Sequence, residues 1–130
     1  MAKQPKTELA LDADSPIPVY RQIADLIRSR LVFQEIRPGE TLPPGRDLAR
    51  ELGVHHNTVA QAYRQLAAEG WVELKRKTGA KVLHKIAPAA SPDVTEYYRR
   101  RLRSVVAAMW SEGVPVQEIR AELEAMAAEI

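Results

Sequence analysis

His55, His56, Asn57 and Thr58 stand in a row, and Gln61 follows one helical turn after Asn57. All five side chains hydrogen-bond. Asn57 and Gln61 carry the paired donor and acceptor that fit adenine in a DNA major groove. A base-reading helix presents its first turn to the base edges, so it needs polar residues gathered there. The same row also suits an ordinary solvated helix start. A second group surrounds a glycine: Lys75, Arg76, Lys77, Lys81 and Lys85, with Thr78 and Gly79 at its centre and no acid between Glu73 and Asp93. Basic side chains near phosphates gain affinity by releasing counterions. A hairpin tip built from them approaches a DNA backbone or a minor groove. Lysines also keep sheet edges from pairing with other chains, so this stretch alone leaves both readings open. Arg46 opens a short helix as a phosphate or base contact, whereas Arg21, Arg28 and Arg64 read as solvated faces.

Other chemistries find little support. His55, His56 and His84 invite a metal, but adjacent residues inside a helix point about 100° apart and do not share one ion. There is no cysteine, and no acid stands at ligand spacing. No glycine-rich phosphate loop, no His-Glu-x-x-His and no Gly-x-Ser-x-Gly occurs. Glu118, Glu122 and Glu124 have the spacing of a solvated helix face. The expectation is a protein without enzymatic activity, cofactor or metal.

The elements that must position these residues follow from periodicity. Val19, Ile23, Leu26, Ile27 and Leu31 recur at helical spacing, which predicts a helix from about Pro18 to Gln34. Arg37-Pro38-Gly39 reads as a turn. Pro43-Pro44 precedes a short helix from Gly45 to Leu52 that buries Leu48, Ala49 and Leu52. Gly53 ends it. A third helix starts within a few residues and runs to Glu69, with Val59, Ala62, Tyr63 and Leu66 inward. Two helices joined by a short glycine turn make a helix-turn-helix. Trp71–Lys75 and Ala80–His84 then read as two strands around the basic turn. Residues 1–14 are expected as a tail or short strand (Glu8–Asp12), 15–86 as the winged helix-turn-helix domain and 87–92 as a linker. Residues 93–130 form two amphipathic helices. Their apolar stripe would face water in a lone chain, so Tyr98, Leu102, Val105, Met109, Ile119, Leu123 and Met126 are read as a dimer interface. The fold class is mainly α with a small β-hairpin: a winged helix-turn-helix followed by a two-helix C-terminal dimerisation hairpin.

At 130 residues the chain has room for one domain and a small appendage. Its net charge of +2 is a weak sign of a nucleic-acid partner, but residues 1–86 hold 14 Lys and Arg against 10 Asp and Glu. Residues 87–130 hold 5 against 7. The basic excess thus coincides with the helix-turn-helix. No apolar run reaches the ~18 residues that span a bilayer, and the N-terminus lacks the apolar stretch of a secretory signal. A cytoplasmic protein with no membrane partner is expected.

Assembled in order, these residues resemble the GntR family of bacterial transcription regulators over about Pro18 to Val82. Pro18-Val19-Tyr20-Arg21-Gln22-Ile23 is similar to the family's P-L-Y-x-Q-I entry to the first helix. Arg37-Pro38-Gly39-Glu40-Thr41-Leu42-Pro43 resembles its L-x-P-G-x-x-L-P turn, and Arg46-Asp47-Leu48-Ala49 its R-x-L-A. Leu52-Gly53-Val54, Asn57-Thr58-Val59 and Ala62-Tyr63-x-x-Leu66 parallel L-G-V-S-R-N-T-V-x-x-A-Y-x-x-L. The short tail, with Arg99-Arg100-Arg101-Leu102-Arg103 and Gly113, resembles the YtrA-type subgroup, whose helical hairpin mediates dimerisation. The resemblance implies a dimeric repressor on a palindromic operator, frequently of a transporter operon and frequently its own. A small-molecule effector of unknown identity would then sit between the winged domain and the hairpin or at the dimer seam. Three departures stand out. His55-His56 replaces the family's Ser-Arg, which exchanges a capping serine for a residue expected to cap poorly. Pro44-Gly45 replaces Ser-Glu. Lys77-Thr78-Gly79-Ala80-Lys81 replaces G-x-G-T-F at the wing, which is expected to be stiffer and more basic. The competing reading is a protein-interaction module built on a winged-helix scaffold, which would show no salt-dependent DNA binding.

Overall fold

The computed structural model describes residues 11–130, so the expected tail or strand around Glu8–Asp12 lies for the most part outside the described residues. The chain divides into two compact units, the first ending at Lys85 and the second running Ile86–Ile130. In the first unit, α1 (Val19–Val32), α2 (Gly45–Leu52) and α3 (His56–Ala68) pack with a small sheet of β1 (Thr41–Leu42), β2 (Val72–Lys75) and β3 (Gly79–Val82).

Pro18 precedes α1, and Ile23, Ala24 and Ile27 are its buried residues. The helix stops at Val32, two residues short of the expected end. The reason is Gln34, whose φ of +65° leaves the helical region. The N–H groups of Glu35 and Ile36 then donate back to the Arg30 carbonyl and close the turn. Ahead of α1, the Asp12 N–H donates to Gln22 Oε1 at 2.8 Å, and Gln22 Nε2 donates to the Asp12 carbonyl at 2.9 Å. Leu11 packs against the core beside this clasp.

α2 has the bounds expected from Pro43-Pro44 and Gly53, and Gly53 ends it at φ +72°. α3 buries Val59, Ala62, Tyr63 and Leu66 as its spacing requires. The Tyr63 hydroxyl donates to the Pro43 carbonyl at 2.6 Å and ties the middle of α3 to the chain ahead of α2. Burial, reinforced by the charges of Glu51 and Asp47, pushes this phenol well above its ordinary range. Ala24, Ala49, Ala62 and Ala80 are all at 4% exposure or less, so backbones approach closely where the elements cross.

The expected two-stranded hairpin is a three-stranded antiparallel sheet in the order β1-β3-β2. Thr41 stands opposite Lys81 and Leu42 opposite Ala80. Residues 37–43 read as turn in the sequence because a two-residue strand has no alternation to detect. β1 exists through its partner alone. Val72, Ala80, Val82 and Leu42 turn inward and close the core. In the second unit, α4 (Pro92–Ser111) and α5 (Val116–Glu129) form the hairpin, with Gly113 at φ +97° in the turn. Ser91 Oγ accepts from the Val94 N–H at 3.3 Å and caps α4. No helix among the described residues is long and apolar enough to cross a membrane.

Candidate nucleic-acid interface

α3 divides cleanly. One face is the core face just described. On the other, His56, Asn57, Gln61 and Arg64 are exposed, while Thr58 is half-buried. Asn57, Gln61 and Arg64 step by one helical turn each, which places them along one line of the helix surface. Arg64 was read as a solvated bystander in the sequence; its spacing from Gln61 is the signal that joins it to this row.

His55 lies just outside the helix as its N-cap, and its Nδ1 accepts the Asn57 N–H at 3.0 Å. This corrects the expectation of a poor cap. A neutral imidazole carries one unprotonated nitrogen, and extended backbone at φ −71°, ψ 144° aims it at the first turn. Because His55 is outside the helix, the 100° separation of helical neighbours does not apply to it. Its ring stacks on that of His56 at 4.5 Å between centroids. Among the described residues no three His, Cys, Asp or Glu side chains come together as a metal site.

The wing turn is three residues long, Arg76-Lys77-Thr78, closed by the Lys75–Gly79 pair. Lys77 takes φ +71°, the conformation that glycine adopts at no cost and where the family resemblance expects glycine. Its charge is therefore held at the tip by a strained backbone. Gly79 takes φ +96°, and a Cβ there would collide with the Leu42 carbonyl oxygen and lie 2.8 and 2.9 Å from Pro43 backbone atoms. The glycine is needed to let β3 pass β1, a packing reason separate from any contact with DNA.

The cations sort into two classes. Arg28 donates to both Glu69 oxygens and to Asp25; Arg30 pairs with Glu35, Arg50 with Asp47 and Lys75 with Glu73. Lys85, grouped with the wing in the sequence, instead donates to the Glu69 carbonyl at 2.6 Å and lies over the Trp71 ring. Of these, Arg28 and Lys85 tie separate elements together, whereas the exposed pairs Arg50–Asp47 and Lys75–Glu73 lie within single elements and add little. Arg46, Arg64, Arg76, Lys77 and Lys81 have no ion-pair partner among the described residues. Among the described residues of the winged unit, positive charge without an ion-pair partner thus stands at the start of α2, along α3 and on the wing, the elements that a winged helix-turn-helix turns to DNA, and also at Arg21 on α1 and Arg37 ahead of β1.

Burial alone would raise the Glu69 carboxyl. Hydrogen bonds from Gln65, Arg28 and the Trp71 indole, with the Arg28 charge, bring it below its ordinary value instead. This half-buried cluster joins α1, the end of α3 and the start of β2, and so fixes the wing to the helices.

In the hairpin, Tyr98, Leu102 and Val105 are more than half exposed, and so are Tyr97 and Trp110, which the heptad-like stepping passed over. Met109, Leu123 and Met126 are half-buried. Ile119, at 6% exposure, is buried and does not share the open stripe.

Residues 19–82 match the family described as bacterial regulatory proteins, gntR family. The chain is 37% identical over 71 residues to the probable rhizopine catabolism regulatory protein MocR of Rhizobium meliloti, covering 55% of this chain and 14% of that protein. This chain therefore spans a small part of the length of that relative. The HTH-type transcriptional repressor YtrA of Bacillus subtilis is 23% identical over 122 residues, 94% of each chain. Among solved structures, YtrA from Sulfolobus acidocaldarius, a GntR-family transcription factor, superposes with a TM-score of 0.56 at 30% identity, covering 93% of this chain and 97% of that one.

Proposed function

From its membership of the GntR family, to which this chain belongs, we propose a sequence-specific, DNA-binding transcription regulator that acts as a dimeric repressor of its own operon. The carrying observation is the exposed row of His56, Asn57, Gln61 and Arg64, together with Arg46, Arg76, Lys77 and Lys81, which have no ion-pair partner among the described residues. In this reading α3 enters the major groove, Asn57 and Gln61 bond base edges, and His55 holds the first turn in shape while Thr58 lies beside it. Lys77 and Thr78 at the wing approach phosphates, and Gly79 sets the wing's path.

One winged unit makes few base contacts, and two copies related by a twofold axis read a palindrome with half-sites about 34 Å apart or a multiple of it. The apolar stripe of Tyr98, Leu102 and Val105, with Met109, Leu123 and Met126 at its margin, supplies the surface that joins them. The protein works in the cytoplasm, and a transporter operon is the target that the subgroup resemblance suggests.

Fluorescence anisotropy with the DNA upstream of the protein's own gene, against random DNA, tests this reading. Binding should prefer the upstream DNA and fall steeply with salt. Light scattering should give a dimer. A monomer that binds the same DNA tightly would refute the dimer, and absence of salt-dependent binding would move the protein to the interaction-module class.

A further inference from the structure

The winged unit contains a cleft of about 430 Å³ between the end of α1, the turn at 34–38 and the foot of β3. Small-ligand pockets occupy about 300–1,000 Å³. Leu31, Ile36, Val82 and the half-buried Trp71 give it apolar walls, and Arg37, His84 and Lys85 bring basic groups to the same space. No aspartate or glutamate lines it. Arg37 is exposed and has no ion-pair partner among the described residues. Lys85 uses one hydrogen on the Glu69 carbonyl and keeps two more.

Gln34 also lines the cleft, and it takes the left-handed conformation that ends α1. Glycine is the usual residue there and adopts it without strain. A glutamine costs about 1–2 kcal/mol in that conformation. This strained position puts a carboxamide at the rim of the cleft.

We propose that this cleft binds a small organic carboxylate with a compact apolar body. The carboxylate pairs with Arg37 and Lys85, the body lies against Trp71 and Ile36, and the Gln34 amide donates to the acid. Positive groups with no acid among them favour an anion. The apolar walls favour one with a hydrocarbon part. The site also reaches the wing. The Gly39 N–H donates to the Val82 carbonyl at 2.9 Å, the Val82 N–H to the Glu40 carbonyl at 2.8 Å and the Leu83 N–H to the Trp71 carbonyl at 2.9 Å, so both walls are stitched to the foot of β3. An occupant therefore alters how the wing is held, which places an effector site inside the winged unit rather than at the hairpin or the dimer seam. Only this effect on DNA rests on the regulator reading; the binding itself does not.

The test uses the full ¹⁵N-labelled chain carrying Trp110→Phe, which leaves Trp71 as the one indole of the two in the sequence. Benzoate, indole-3-acetate and hexanoate are titrated beside the matching alcohols. At least one acid should shift the Trp71 indole N–H resonance saturably, with its alcohol about tenfold weaker or more. Arg37→Ala should weaken that acid about tenfold to a hundredfold, the range for hydrogen bonds to charged groups. Gln34→Gly should weaken it too while raising the urea midpoint, an outcome that a purely structural glutamine would not give. Absence of a saturable shift with all three acids, or equal response to acid and alcohol, overturns the proposal. So does a loss of DNA affinity and about one unit of salt slope in Arg37→Ala without any acid, which would make Arg37 a phosphate contact. Acid binding without any DNA binding would keep the cleft and sink the regulator reading.

Discussion

Gly79→Ala isolates the crossing of the wing over β1. Two costs apply. At φ +96° an alanine sits outside its favoured regions, at about 1–2 kcal/mol. Its Cβ also drives into the Leu42 carbonyl and the Pro43 backbone. Backbone cannot rotate away as a long side chain would, so relief requires β3 to leave β1, and overpacking of this kind costs about 1–3 kcal/mol. The sum is about 2–5 kcal/mol. Gly53→Ala is the control, because it has φ +72° and nothing within 4 Å of its Cβ. It should cost the conformational part alone. Urea denaturation followed by Trp71 fluorescence in the Trp110→Phe background reads both. With slopes of about 1–3 kcal/mol per molar urea, Gly79→Ala should lower the midpoint by about 0.3–3 M beyond Gly53→Ala. Equal midpoints for the two variants would refute the steric part and leave Gly79 as a turn residue only.

His55→Ala should destabilise by about 1 kcal/mol through loss of the cap on α3, and His55→Ser should restore most of it, as read by thermal unfolding. Lys77→Gly relieves a strained backbone, so it should raise stability by up to about 1 kcal/mol. The same change should lower DNA affinity for all sequences and flatten the salt slope by about one unit in anisotropy. Leu102→Glu should shift light scattering toward the monomer and weaken operator binding with no change in the winged unit's own unfolding. The Glu69 carboxyl is depressed, so its contribution is fully present above the ordinary glutamate value near 4.5 and is lost as pH falls through its lower folded value. The stability gap between wild type and Glu69→Gln, measured by urea midpoints from pH 7 to pH 3, should hold above about pH 5 and shrink below it.

What the sequence made visible is what strong local signals mark. Pro43-Pro44 and Gly53 bracket α2 because both act on the backbone directly, and the core face of α3 follows from helical spacing. The exposed row on that helix is the remainder, so it was legible too. Three features were not. β1 is two residues long and owes its existence to Lys81 and Ala80 far along the chain. Gln34 and Lys77 adopt positive φ although neither residue type announces it. The division of cations into paired and unpaired depends on which carboxylates the fold brings near, as Lys85 and Glu69 demonstrate.

The enclosed alanines bear on how such a protein diverges. Ala49 on α2 and Ala62 on α3 are shielded almost fully from solvent, so an added methylene at either must be met by a shift of the elements packed on it. The tilt of α3 is then adjustable from beneath. In the proposed reading, a lineage retunes the DNA that α3 meets by exchanging residues that never meet solvent, leaving every outward-pointing group unchanged.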